Sequence, residues 1–246
     1  MNTSHYRLGL KIILCAALLS VSGCANTPGG SDQAADQDAL EPINRAIFQF
    51  NYVVDGTVLK PVTQIYRGVI PEKGQEMVSN FIDNLYTPLS FFNSVLQADP
   101  ENSFASLWRF LINSSFGIGG LFDVASEAGL KHRQTDLGQT FAMYGSGPGV
   151  YVVLPIIGPS TTRDSLGRLG DAFMNPFNYI DTGVSIAMWS ATAIDKRSEN
   201  MTLIDDIYRT SLDPYTTFKS GYLQKREAEI RRAKEARKKS QEKAGF

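Results

Sequence analysis

The chain has 246 residues and a formal net charge of −1, from 24 Lys and Arg against 25 Asp and Glu. This length suffices for one large domain or two small ones. The charge is uneven, because the residues from Lys219 onward include ten Lys or Arg against four Glu. A basic C-terminal segment on an otherwise acidic chain points to a membrane surface or another protein as its partner, and we expect no binding to nucleic acid.

The N-terminus has the layout of a bacterial lipoprotein signal peptide. Two basic residues precede an apolar run over 12–21, and small residues lead from that run to Cys24. These three parts define a secretory signal peptide, and the run is shorter than the roughly 20 apolar residues that span a bilayer. A cysteine after the small residues resembles the lipobox. We therefore predict a signal peptide over 1–23 and covalent N-acyl and S-diacylglycerol groups on Cys24; the alternative is an ordinary signal peptide.

Removal of the signal peptide would leave few groups for covalent or metal chemistry. Cys15 and His5 lie in the discarded segment, so Cys24 and His132 would be the remaining cysteine and histidine. A disulfide within the chain, a zinc site and a Ser-His-Asp triad are then poorly supported. The sequence also lacks a G-x-S-x-G nucleophile elbow. We predict that the protein is not an enzyme and has no cofactor, although a site made of carboxylates alone stays open.

Helical spacing of apolar residues dominates the middle of the chain. Residues 24–39 are small and polar and predict a flexible tether. The helical stripes that follow cover residues 43–54, 77–85, 104–111 and 201–208. We predict that Lys60-Pro61 ends the first helix and that Thr87-Pro88 stops or kinks the second. Because alternating strand patterns are nearly missing, the predicted fold class is mainly α.

Residues 138–159 interrupt the helical pattern. Five glycines and three prolines surround the apolar run 150–157, and this density argues against a continuous helix. We therefore predict an irregular hairpin or re-entrant loop. Gly145, Gly147 and Gly149 have G-x-G-x-G spacing without a following Lys-Ser/Thr, so they favour an adaptable loop over a phosphate loop.

Three groups of residues leave two interpretations open. Arg163, Asp164, Arg168 and Asp171 form either a helix face with ion pairs or the charged lining of a passage for a polar head group. Asparagines within apolar segments need partners if they are buried, and either interhelical hydrogen bonds or a wet channel would supply them. The many aromatic residues of the first half suit a soluble core or the head-group level of a bilayer.

The C-terminal segment 223–246 is rich in basic residues and in good helix formers. Its sequence predicts a solvated helix or a disordered tail. A functional alternative is capture of anionic head groups or of an acidic partner, since each Lys or Arg near an anionic surface contributes about 1 kcal/mol.

Whole segments between residues 40 and 222 carry a family resemblance. They include Leu40-Glu41-Pro42-Ile43-Asn44-Arg45, Asn80-Phe81, Arg109-Phe110-Leu111-Ile112-Asn113-Ser114, Gly117-Ile118-Gly119-Gly120-Leu121-Phe122-Asp123-Val124-Ala125 and, most specifically, Tyr151 to Asp164. This combination resembles the MlaA (VacJ) family of outer-membrane phospholipid-transport lipoproteins. The family's Gly-Pro-Tyr differs from the sequence here at Pro148 to Tyr151, and the segment after Tyr222 lies outside the shared pattern.

The resemblance implies a compact, ring-like helical body embedded in the inner leaflet of the outer membrane, with an amphipathic channel through it. It implies a lipid-anchored, periplasm-facing protein that removes mislocalised phospholipids from the outer leaflet and passes them to a periplasmic carrier. A trimeric porin of the outer membrane is the implied membrane partner. The alternatives are a structural envelope lipoprotein and a lipid-modifying hydrolase.

Candidate channel or gate residues follow from the asparagines, the aromatic residues, the Gly/Pro-rich segment and the charged helix face. These candidates are Asn44, Phe48, Phe50, Asn51, Gly145, Gly147, Pro148, Gly149, Tyr151, Arg163 and Asp164. Our hypothesis makes Gly145 to Ile157 a mobile wall or gate beside the lipid passage, because glycine density and an apolar run coincide there.

Overall fold

The computed structural model describes residues 38–179 and 181–244, and this part of the chain is mainly helical, as predicted. Its helices are α1 (Glu41–Val54), α2 (Lys60–Val69), α3 (Glu72–Leu96), α4 (Pro100–Ser115), α5 (Val124–Glu127), α6 (Leu137–Met143), α7 (Thr162–Met174), α8 (Thr182–Glu199), α9 (Met201–Thr210) and α10 (Pro214–Ala244). A π-helical turn covers Asp55–Leu59 and a 3-10 turn covers Pro176–Tyr179. The predicted signal peptide, Cys24 and nearly all of the predicted tether lie outside the described residues.

A π-helical turn joins α1 to α2 and carries the chain past Pro61. The prediction that Lys60-Pro61 ends the first helix is wrong, because helical backbone continues from Glu41 to Val69. The Lys60 N–H donates to the Asp55 carbonyl five residues back, and this wider turn accommodates the proline. Pro61 then stands at the beginning of α2, where a missing N–H is tolerated.

Pro88 lies inside α3, which continues as one helix from Glu72 to Leu96. Of the two predicted alternatives, a stop at Thr87-Pro88 is therefore wrong, and a kink within one helix stays a prediction. Proline cannot donate to the carbonyl four residues earlier. The Thr87 hydroxyl donates to the Asp83 carbonyl at 2.8 Å and supplies a neighbouring hydrogen bond. Packing of α3 along α4 then holds both halves of the helix in place.

Helices α3 and α4 meet along a seam of polar side chains. The Asn102 amide donates to Ser94 Oγ at 2.7 Å, and the Asn84 amide donates to Ser114 Oγ at 3.1 Å. Asp99 caps α4 by accepting from the Asn102 N–H. Ser94 and Asn102 are both buried. Hydrogen bonds therefore hold this helix pair together along its inner face.

The later part of the Gly/Pro-rich segment 138–159 forms the predicted hairpin, whereas its first residues belong to α6 (Leu137–Met143) and are helical, unlike the prediction. Strands β1 (Tyr151–Leu154) and β2 (Gly158–Thr161) are antiparallel, with Tyr151 opposite Thr161 and Leu154 opposite Gly158. Ile156 and Gly158 have positive φ of 68° and 90°, which is the left-handed region that a tight turn requires. The Thr161 side chain then caps the beginning of α7 by accepting from the Asp164 N–H.

A small apolar core lies between the hairpin and helices α1 and α10. Tyr151, Val153 and Tyr215 are buried together, and Phe48 packs against them. The Tyr151 and Tyr215 rings meet edge-on with centroids 6.2 Å apart, a favourable aromatic geometry. These contacts attach the hairpin to both helices.

The rest of the described chain has an unusual distribution of polarity. Most other buried side chains are polar, whereas Val69, Phe116 and Ile118 are 71%, 77% and 66% exposed. Single exposed apolar residues are ordinary in soluble proteins, but extensive apolar surface marks an interaction or membrane site. Within 38–179 and 181–244, no helix combines the length and the apolar character needed to cross a membrane.

Helices α6 and α7 approach each other closely at a glycine, which generates the first prediction. A Cβ on Gly167 would lie 2.3 Å from the Gly138 backbone nitrogen. We expect Gly167→Ala to lower the free energy of unfolding by about 1–3 kcal/mol or more, because backbone atoms must move apart. Chemical denaturation in detergent measures this change.

Gly68→Ala is the matched control, because Gly68 is also helical and a Cβ there meets nothing within 4 Å. Alanine favours helix over glycine by about 0.5–1 kcal/mol, so this variant should be neutral or stabilised. Equal stability of the two variants would contradict the close contact.

Candidate functional site

Two asparagines of α1 hold the free edge of β1. Asn44 donates to the Tyr151 carbonyl at 3.0 Å and accepts from the Val153 N–H at 2.9 Å. Asn51 stands two turns later and binds the same edge further along, donating to the Leu154 carbonyl at 2.9 Å. Its oxygen also accepts from the Ile156 N–H at 2.7 Å. The two amides thus replace a third strand and satisfy backbone groups that would otherwise lack partners.

A second cluster joins the beginning of the described chain to α10. Asp38 accepts from Tyr215 Oη at 2.9 Å, from Lys219 Nζ at 2.6 Å and from the Asn44 amide at 3.2 Å. Although burial opposes ionisation, the hydrogen bonds from Lys219, Tyr215 and Asn44 lower the pKa of Asp38. The point where the predicted tether enters the body is therefore fixed beside the hairpin.

A buried ion network connects α7, α10 and the segment before α6. Arg226 of α10 contacts Asp136 through both Nη atoms, at 2.7 Å and 2.6 Å, and contacts Asp164 at 3.0 Å. Asp164 also accepts from Tyr222 Oη at 2.7 Å and from Arg163 Nε at 3.0 Å. Burial opposes ionisation of Asp164, but Arg226 outweighs it and lowers its pKa to about 2.

This network reaches the glycine-rich loop that precedes the hairpin. Arg163 donates from Nη1 to the Ser146 carbonyl at 3.4 Å and from its backbone N–H to the Pro148 carbonyl at 3.2 Å. The loop itself is exposed from Tyr144 to Gly149. Gly145 and Gly149 have φ of 91° and 68°, a region that glycine enters without strain.

Asp171 on α7 supports the beginning of α6. Its carboxylate accepts from the Leu137 N–H at 3.1 Å and from the Asn93 amide at 3.0 Å. Burial raises the pKa of Asp171 to about 6 against these hydrogen bonds, and the Asp136 carboxylate adds to the increase. The side chain is 8% exposed, so the charged form has little contact with water.

The sequence-predicted site residues fall into two groups. Asn44, Tyr151, Arg163 and Asp164 are buried, and they join Asn51 and Phe48 in the contacts that hold the hairpin and α7. Phe50 is 51% exposed and points away from this cluster. The remaining candidates lie in the exposed loop; they are Gly145, Gly147, Pro148 and Gly149.

Several residues of the ion network escaped the sequence analysis. Asp136, Tyr222 and Arg226 are 28 or more positions from Asp164 in the chain, and spacing alone does not pair them. Asp136 carries one local signal, because it caps α6 by accepting from the Gln139 N–H. Arg226 is hidden among the other basic residues of the C-terminal segment.

Groups suited to metal chemistry do not converge in the part of the chain that the structure describes. His132 is half-buried, and burial lowers its pKa to about 4. Its neighbours Arg109 and Asp123 form their own bidentate pair at 2.9 Å and 2.8 Å. The hydrogen bonds and ion pairs described above therefore hold helices and the glycine-rich loop in position.

Asp171→Asn tests whether the buried Asp171 carboxylate destabilises the α6–α7 contact when it is ionised. Since the folded-state pKa is raised, the buried carboxylate should make the wild-type protein progressively less stable as the pH rises from about 4 to about 6. The variant keeps an oxygen for Leu137 and Asn93 but cannot ionise. We expect its free energy of unfolding to exceed that of the wild type by about 1–3 kcal/mol at pH 7.

Thermal or chemical unfolding in detergent between pH 4 and pH 8 measures this difference. Asp206→Asn is the control, because Asp206 is about half-exposed and pairs with Arg209 on the surface. If the free energy of unfolding changed with pH in the same way in the wild type and in Asp171→Asn, burial of the Asp171 carboxylate would not be the cause of the predicted pH dependence.

Comparison with known proteins agrees with this architecture. The family model described as "MlaA lipoprotein" matches residues 36–229. The chain is 34% identical over 223 residues to the Escherichia coli intermembrane phospholipid transport system lipoprotein MlaA, covering 88% of each chain. It is 33% identical over 221 residues to the Haemophilus influenzae protein of the same name, covering 87% of this chain and 88% of the relative.

A solved structure shares the fold. It comes from work on the "structural basis for maintenance of bacterial outer membrane lipid asymmetry" and matches with a TM-score of 0.70 at 34% identity. The match covers 78% of this chain and 98% of that chain. The family model, the relatives and the structure all agree with the resemblance seen in the sequence. The chain belongs to the MlaA lipoprotein family.

Proposed function

We propose that this protein is a lipoprotein that transports phospholipids between membranes and maintains the lipid asymmetry of the outer membrane. It removes mislocalised phospholipids from the outer leaflet and passes them through an amphipathic passage toward the periplasm. Family membership supports this proposal, because relatives that are 33–34% identical bear the name of an intermembrane phospholipid transport lipoprotein. The likeness to a structure from work on outer-membrane lipid asymmetry gives independent support.

The distribution of polarity is the observation that carries the proposal. Apolar side chains stay exposed along several helices, including Ile65 of α2, Phe104 of α4 and Ile186 of α8, each at least 60% exposed. Exposure of apolar surface to water has an unfavourable free energy of about 25 cal/mol per Å². Lipid removes this cost, and hydrogen bonds between helices suit a hydrocarbon environment. We infer that the body is ring-like and lodges in the inner leaflet of the outer membrane.

A phospholipid crosses a membrane protein only where its head group avoids hydrocarbon and its tails avoid water. Burial of an unpaired charge is very costly, so a passage needs polar groups on one side and apolar groups on the other. The exposed apolar surface supplies the apolar side of such a passage. The exposed loop 144–149 and the hairpin tip at Ile156 are our candidate gate.

Location and partners follow from the same proposal. Acylation of Cys24 would anchor the chain to the outer membrane, since more than one acyl chain gives stable attachment. The body would face the periplasm, with a trimeric porin as its membrane partner and a periplasmic phospholipid carrier as the acceptor. The protein would act without catalysis, as a transport lipoprotein.

A deletion strain tests the proposed function most directly. Loss of the gene should raise the amount of phospholipid in the outer leaflet, because misplaced lipid is no longer removed, and the wild-type gene should reverse this. Enzymatic labelling of surface-exposed phospholipid measures the effect. An unchanged outer leaflet would favour a structural lipoprotein, and lysophospholipid or fatty acid released by the purified protein would favour a hydrolase.

A reversible disulfide tests the gate. A Cβ on Gly149 would lie 3.1 Å from Thr162 Cβ, and disulfides join Cβ atoms about 3.5–4.5 Å apart, so a small shift permits the bond. The pair Gly149→Cys and Thr162→Cys should fasten the loop to α7 and block lipid removal when oxidised. Outer-leaflet phospholipid, measured before and after reduction, reports the block.

The two single-cysteine variants are the controls, since neither can form this bond. Each should remove the same amount of surface phospholipid before and after reduction, whatever strain a side chain adds at Gly149, where φ is 68°. Transport that continues with the disulfide intact would contradict a gate at this loop.

A further inference from the structure

A cavity lies between the inner face of α10 and the body of the protein. Its volume is about 440 Å³, within the range of pockets that bind small molecules. Tyr86 and Leu89 of α3, Gln134 from the segment before α6, and Arg232 and Ala233 of α10 line it, together with charged residues from both sides. Arg232 lies beyond residue 229, where the family match ends.

The carboxylates around this cavity already have basic partners. Arg226 binds Asp136 at 2.6 Å and approaches Glu229 at 3.3 Å, while Arg133 pairs with Asp99. An anion in the cavity would therefore face no free carboxylate among these residues. Arg226 also binds Asp164, but Arg163 shares Asp164 at 3.0 Å and Lys225 approaches Glu229 at 3.9 Å. Three basic side chains thus face three carboxylates, and Arg133 and Asp99 form a fourth pair.

Arg232 differs from the other arginines of the cavity. Its Nε donates to the Ala228 carbonyl at 3.2 Å, and its two Nη groups meet no acceptor among residues 38–179 and 181–244. Tyr86 Oη and the Gln134 amide also have no hydrogen-bond partner within this part of the chain. The exposed Arg232 guanidinium, which has no carboxylate partner among the described residues, and two neutral donors, the half-buried Tyr86 and the exposed Gln134, thus line the same open cavity.

We propose that this cavity binds the phosphate of a phosphodiester, with Arg232 as its charged ligand. Guanidinium groups bind phosphate through paired N–H donors, and one free guanidinium matches the single negative charge of a phosphodiester. Tyr86 and Gln134 supply further donors, and Leu89 and Ala233 offer apolar surface to the adjoining carbon atoms. This inference rests on the proposed function in one respect, because a phospholipid head group is the phosphodiester it favours.

Calorimetric titration of the purified, full-length mature protein in nonionic detergent tests this site. Glycerophosphoglycerol is the first probe, because it is a soluble phosphodiester that does not enter micelles. We expect Arg232→Gln to weaken its binding about fivefold to tenfold, the loss of one charge-assisted hydrogen-bonding group. Arg231→Gln is the matched control, since Arg231 is an exposed neighbour on α10 that does not line the cavity.

Two further probes identify the source of the phosphate. Dihexanoylphosphatidylglycerol below its micellar concentration should bind the wild type more tightly than glycerophosphoglycerol if the site takes a lipid. Inorganic phosphate that binds as tightly as either diester would overturn the lipid assignment. Equal effects of Arg231→Gln and Arg232→Gln, or no binding by the wild type, would overturn the site itself. The outer-leaflet assay tests transport without reference to this cavity, so the two failures are distinguishable.

Discussion

Hydrogen bonding between buried polar side chains is the interaction on which this structure depends. Helices in water are normally joined by apolar faces, because burial of apolar surface is the main favourable term in folding. Here Asn93 and Ser94 are fully buried and hydrogen-bonded, while apolar side chains of the same helices face outward. Such an arrangement is favourable in lipid, because apolar side chains that face hydrocarbon are not exposed to water and hydrogen bonds join the helices. The amphipathic passage that we propose is a consequence of the same distribution.

Two polar clusters give this interior its specific geometry. Asn44 and Asn51 fix the hairpin to α1 without a third strand. The Arg226 network fixes α10 to α7 and to the beginning of α6. Both clusters reach the hairpin segment, one through its β1 edge and the other through Arg163 at its base. The hairpin is therefore held at two sides, while the loop from Tyr144 to Gly149 stays exposed to the surroundings.

The sequence predicts much of the fold, because helical periodicity and glycine density are local signals. It predicts the mainly helical class and the hairpin. It fails at Pro61, and of its two alternatives at Pro88 the helix stop is wrong. A π-helical turn in one case and packing along α4 in the other keep the chain helical. Local propensity yields to tertiary contacts at both positions.

The candidate site is less predictable, because its pairings join distant parts of the chain. The sequence identifies Asn44, Asn51 and Asp164 as notable polar residues, but it does not show that the asparagines bind β1 or that Asp164 binds Arg226, 62 positions away. Arg226 and Arg232 look alike within a basic helix. Only the fold distinguishes Arg226, which is paired in a buried network, from Arg232, which faces a cavity and has no acidic partner within residues 38–179 and 181–244.

The chain's two tryptophans offer the most direct test of an apolar surface that faces lipid. Trp108 on α4 and Trp189 on α8 are 43% and 51% exposed. Fluorescence of a Cys24→Ser variant in vesicles, with brominated phospholipid and aqueous iodide as alternative quenchers, reports the environment of these side chains without the lipid anchor. Our account predicts strong quenching by brominated lipid and weak quenching by iodide. Strong quenching by iodide with none by brominated lipid would contradict it.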